Sequence, residues 1–134
     1  MADKEEKTTK ELLKELITER LLFFKENNKA IQVIFQEMMI NKSVRNMFNQ
    51  KVWSKAKLIS NEIFKKGKNE NQIRDIDPFY LRKAIFGMIF YTVTFEQILD
   101  TNKREDYNHE EEAEKILDIV FNGIGREKKK KNML

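Results

Sequence analysis

From residue 9 to residue 125 the apolar side chains recur at intervals of three and four, which is the period of a helix. The first such segment covers 9–26. Leu12, Leu13, Leu16, Ile17, Leu21, Phe23 and Phe24 form a broad stripe, and Glu11, Lys14, Glu15, Glu19 and Arg20 form a wet face. Thr8 or Thr9 can cap its start, and Asn27 with Asn28 marks the break, because asparagine accepts the left-handed conformation a helix end wants. The second segment, 29–39, leaves only Gln32, Gln36 and Glu37 polar among Ala30, Ile31, Val33, Ile34, Phe35, Met38, Met39 and Ile40, so it is expected in the middle of the domain. Asn41 ends it and Ser43 can cap the next. From 44 to 66, Val44, Met47, Phe48, Val52, Trp53, Ala56, Ile59, Ile63 and Phe64 keep helical spacing, with a kink expected near Asn49. Gly67, after Lys65 and Lys66, stands where a C-terminal cap belongs, and a polar connection covers 68–75.

The most apolar helix is predicted over 77–100, DPFYLRKAIFGMIFYTVTFEQILD. Asp77 and Pro78 are a helix-start pair. No charge interrupts 84–95, and apolar side chains cover most of the circumference, so two sides must be covered. A membrane is a poor cover. A span needs about 20 apolar residues, whereas Arg82, Lys83 and Glu96 bracket this stretch closely and would cost about 2.5–3.5 kcal/mol each near a bilayer centre. A last helix opens at Asn108, with Glu110, Glu111 and Glu112 in its first turn, where acidic groups suit the helix dipole. Ala113, Ile116, Leu117, Val120, Phe121 and Ile124 form its stripe, and Gly123 and Gly125 stop it.

These elements make an all-α domain, a bundle of about five to six helices. It occupies 9–125, between a flexible N-terminus (1–8) and a basic flexible tail (126–134). Composition agrees: 134 residues suffice for one core, and with one Pro and four Gly turn signals are few. There is no Cys, hence no disulfide frame or thiolate metal site. The formal charge of +4, from 26 basic and 22 acidic residues interspersed, does not make a general polyanion-binding surface. The charged N-terminus argues against a secretory signal, and a cytoplasmic location is expected.

Catalytic signals are sparse. His109, the only histidine, reads as a solvated first-turn residue and the three adjacent glutamates as dipole partners. The paired Glu-x-x-His pattern of di-metal bundles and phosphate-cradling glycine motifs are both missing. No enzymatic activity, metal or cofactor is expected. Interaction signals are better: Phe24, Phe35, Met38, Met39, Phe48, Trp53, Phe86 and Phe90 are core by default, but bulky, adaptable residues also line apolar ligand cavities. Glu37 and Glu96 lie in apolar neighbourhoods and would favour a cationic ligand if buried. The run 128–131 reads as a solvated end, since no groove-reading element accompanies it.

The succession NEIFKKGKNENQIRDIDP, FYLRKAIFGMIFYTVTFEQIL and EEEAEKILDIVFNGIG resembles the C-terminal regulatory domain of TetR-family transcriptional regulators. KELLKELITERLLFFKENNKAIQVIFQEMM resembles that domain's first two helices, so the likeness covers about 9–125. The family's N-terminal helix-turn-helix has no counterpart here, so sequence-specific DNA binding by these residues is not expected. The resemblance implies a homodimer whose last two helices form a four-helix interface, and a small effector bound among the preceding helices. On that basis Gly87, Phe90, Tyr91, Thr94 and Ile98 are assigned to the dimer, with Leu117, Val120, Phe121 and Ile124. Leu81, Ile85, Met88 and Thr92 are assigned to core and pocket, with Phe24, Phe35, Met38, Met39 and Trp53 as pocket walls. The opposite assignment of the two arcs of 77–100 stays open. The effector would be lipophilic or aromatic. The competing reading is a non-catalytic helical protein-protein interaction module with a filled core and no small ligand.

Overall fold

Among the described residues the first and last helices pack against each other, and the rest is arranged around that pair. In the computed structural model, which describes residues 7–99 and 107–126, helices are the only regular elements. They are α1 (Thr9–Glu26), α2 (Asn28–Ile40), α3 (Lys42–Phe48), α4 (Ser54–Asn69), α5 (Pro78–Phe90), α6 (Glu96–Leu99) and α7 (His109–Asn122). A π-helical turn, Asn49–Trp53, joins α3 to α4, and another, Tyr91–Phe95, joins α5 to α6. The expected kink near Asn49 is thus a π turn, one of the recognised sources of helix irregularity. Of the termini read as flexible, only Lys7, Thr8 and Arg126 fall within the described residues.

Helix α1 is the hub. Thr8 accepts from Glu11 N–H at 3.1 Å while its own N–H donates to Glu11 Oε1 at 3.0 Å, a reciprocal capping box. Leu13, Ile17 and Leu21 are wholly buried, with Leu12 nearly so. Complete burial of such side chains contributes about 1.5–3 kcal/mol each. They pack with Ile63 and Phe64 of α4, Leu81, Ile85, Phe86 and Ile89 of α5, and Ala113, Ile116 and Leu117 of α7. Tyr107 locks the entry to α7: its hydroxyl donates to Leu21 O at 2.6 Å, and Lys25 Nζ donates to its carbonyl at 2.8 Å. Across the surface Lys14 pairs with Glu114 at 3.0 Å.

Helix α2 is not central. None of its residues is buried, nor any of α3 or the first π turn, and Met39 and Ile40 are each 81 % exposed. High apolar content therefore did not mean burial in the core, which α1, α4, α5 and α7 fill between them. Helices α2 and α3 form a limb laid beside that core.

Three terminators also differ from expectation. Asn27 has φ −119°, so α1 passes to α2 without a left-handed residue. Asn41 itself, rather than Ser43, caps α3, its Oδ1 accepting from Ser43 N–H at 3.0 Å and Val44 N–H at 3.3 Å. Gly67 lies inside α4, and the left-handed residue beyond that helix is Asn71, φ 57°. Asp77, Pro78, Asn108 and Gly123 (φ +70°) hold the terminal positions read for them.

Candidate functional site

Between the α2–α3 limb and α5 runs a groove of about 760 Å³, lined by Gln32, Phe35, Gln36, Met38, Met39, Phe48, Trp53, Phe90, Thr94 and Phe95. Its floor is an aromatic cluster centred on Phe35. That ring meets Phe90 at 5.3 Å and 80°, Phe48 at 6.1 Å and 76°, and Phe24 at 6.0 Å. The near-perpendicular contacts with Phe90 and Phe48 set ring edges against ring faces, as the aromatic quadrupole favours. Trp53 is held against Phe86 at 5.4 Å. Methionines supply adaptable walls, and Gln32 and Gln36 supply polar lip groups.

Both π turns border this groove. Trp53 closes the first, whose widened ring lets Asn49 O accept from Ser54 N–H and, at 2.8 Å, from the Ser54 hydroxyl. Thr94 and Phe95 belong to the second, in which Glu96 N–H reaches Tyr91 O. The extra residue in each turn displaces the later side chains from ordinary helical register. Thr94 Oγ1 is buried and has no hydrogen-bond partner among the described residues. By contrast the Thr92 hydroxyl donates to Met88 O at 2.9 Å.

Of the residues read as pocket walls, Phe35, Met38, Met39 and Trp53 line the groove. Phe24 stands behind it, packed on Phe35 and Phe90. Leu81 and Ile85 do not reach it, being buried in the core, and Met88 and Thr92 line the depression on the other side of α5. Phe48 and Phe95 are added by the geometry. Phe48 was visible as an apolar residue, whereas Phe95 is brought to the groove by a π turn that carries no local sequence signal.

The residues read as a dimer strip divide between two faces. Phe90 and Thr94 line the groove. Gly87 and Tyr91 are exposed on the opposite side, beside Ile119 of α7, where a shallower depression of about 530 Å³ also contains Lys83, Glu96, Glu112 and Lys115. The physical reason is angular: at 100° per residue Phe90 lies about 60° from Gly87, and the boundary between the faces falls between them. Leu117 is buried, Val120 and Phe121 are half-buried against the core, and Ile124 is 92 % exposed. The side chain of Ile98 lies outside the described residues.

No ionisable side chain among the described residues lines the groove. Glu37 is exposed, and Glu96 lies on the far side of α5. His109 is half-buried, not solvated as read, and its Nδ1 lacks a partner among the described residues. Among those residues no three His, Asp or Glu side chains gather as a metal site, and no helix is long and apolar enough to cross a membrane. Comparison with protein-family models, curated proteins and solved structures finds no match.

Proposed function

We propose that the protein is a ligand-binding module whose groove between the α2–α3 limb and α5 takes a small, mostly apolar molecule. The observation that carries this reading is the lining of the groove itself: about 760 Å³ walled by Phe35, Met38, Met39, Phe48, Trp53, Phe90 and Phe95, with a few polar groups from Gln32, Gln36 and Thr94. Volume and composition fit the ordinary form of small-molecule sites, apolar walls with a few placed polar groups.

The resemblance to TetR-family regulatory domains supplies a context. On that reading the bound molecule is an effector, and the exposed face carrying Gly87, Tyr91 and Ile119 pairs with a second copy. DNA is contacted only through a helix-turn-helix carried outside these residues. Effector binding acts by its differential affinity for two arrangements of the dimer.

Thermal-shift screening with lipophilic and aromatic compounds tests the ligand reading. Trp53, the only tryptophan, lines the groove and reports occupancy by its fluorescence. Hits that raise the melting temperature and alter Trp53 emission support it; a library that does neither refutes it. The exposed Met39 at the groove and its exposed neighbour Ile40 favour one other reading, a helix-in-groove interaction module. In that case a partner's amphipathic helix perturbs Trp53 and small compounds do not.

A further inference from the structure

Arg45 lies on α3 one turn before the wall residue Phe48, and its Nη1 donates to the backbone carbonyl of Met38, another wall residue, at 3.0 Å. That bond uses one of the guanidinium's five donors and holds the group against the backbone of Met38. Arg45 is exposed, and none of the described carboxylates pairs with it, Glu37 beside Met38 included. The surrounding stretch is basic in sequence. From 42 to 61 the chain has Lys42, Arg45, Lys51, Lys55 and Lys57 and no Asp or Glu.

Among the described residues the groove lining is uncharged, while the Arg45 guanidinium is bonded to one of its wall residues, an arrangement suited to an anionic amphiphile. Resting on the reading of this groove as a ligand site, we propose that its occupant carries a carboxylate or similar anionic head. The head is met by Arg45, and the apolar tail lies over Phe35 and Phe90. Guanidinium is suited to this task because its planar fork matches a carboxylate with two parallel hydrogen bonds.

Decanoate and 1-decanol, titrated into the full chain at low ionic strength and read by Trp53 fluorescence, test the proposal. Without recognition of the head, decanol binds better, since a charge must leave water to enter any apolar site. The proposal expects the reverse, decanoate tighter by about tenfold, the size of one charge-assisted hydrogen bond, with the advantage shrinking as salt is added. Arg45→Gln removes the preference and leaves decanol unchanged, and Arg45→Lys restores much of it. Equal binding, or a preference that survives Arg45→Gln, overturns the anionic-head assignment while leaving the groove as a ligand site. So does an Arg45→Gln variant that weakens both compounds alike, because Arg45 then only supports the wall. If neither compound alters Trp53 emission, the ligand-site reading fails with it.

Discussion

Gly67 shows how one residue can carry a different burden from the one its neighbours advertise. Its place after Lys65 and Lys66 suggests a cap, yet α4 continues to Asn69 and Gly67 is buried. A Cβ built there would lie 2.6 Å from Ile73 Cδ1 and 2.9 Å from Thr9 Cγ2, where the chain beyond α4 crosses the start of α1. Thr9 is itself fully buried, and its N–H donates to Gln72 Oε1 at 2.6 Å, so it has little room to yield. Gly67→Ala gains helix propensity but overpacks this crossing, and a net loss of about 1 kcal/mol in denaturant unfolding is expected. Gly87 is the reverse case, with nothing within 4 Å of an added Cβ. Gly87→Ala should stabilise the isolated chain by about 0.5–1 kcal/mol; if two copies pair across this face, the same substitution weakens the dimer in light scattering. Burial pushes the Tyr107 phenol up to about 12, with Glu112 and Glu96 adding to the effect. Because the folded value is the higher one, its stabilisation is complete below about pH 10, the ordinary phenol value, and is lost as pH climbs towards 12. Tyrosinate absorbance should show one of the three tyrosines ionising late, and Tyr107→Phe should remove that phase.

At the scale of elements, the limb built from α2 and α3 is where sequence and structure part. The start signals at Thr8, Asp77 and Asn108 were legible because a cap is a local bargain between a side chain and the next two or three amides. The amphipathic stripes of α1 and α7 were legible because burial there tracks a single face. The position of α2 was not, since apolar content states how much surface wants cover and not which neighbour provides it. The groove was half legible for a related reason: Phe35, Met38, Met39 and Trp53 have the right chemistry, but the π turns that bring Thr94 and Phe95 to it leave no mark in periodicity. With no buried residue in α2 or α3, the limb should open locally at lower free energy than the four-helix core. Amide hydrogen exchange should therefore be fastest there, and a groove ligand should slow it selectively. Protection as strong as that of α1 would contradict this.

For the molecule as a whole, the exposed apolar surface is the quantity that a second copy would change. Tyr80 and Tyr91 on the α5 side are each more than half exposed, and Ile119 nearly so. Under the dimer reading, light scattering at micromolar concentration gives twice the chain mass, and Tyr91→Glu returns it to a monomer with little change in helix content. A monomer in both cases would remove the dimer and leave the groove untouched.

The pairing of α1 with α7 has a consequence for the history of the chain as it is made. Leu13, Ile17 and Leu21 emerge from the ribosome well before α7, the helix that packs most extensively on α1. The core cannot close until the long middle of the chain has been made after α1, so docking of α7 is a late, long-range event. During that interval the buried stripe of α1 is an open surface, available to chaperones or to neighbouring nascent chains. A chain halted before Tyr107 should thus remain bound to a holdase, and adding a peptide of α7 should release it.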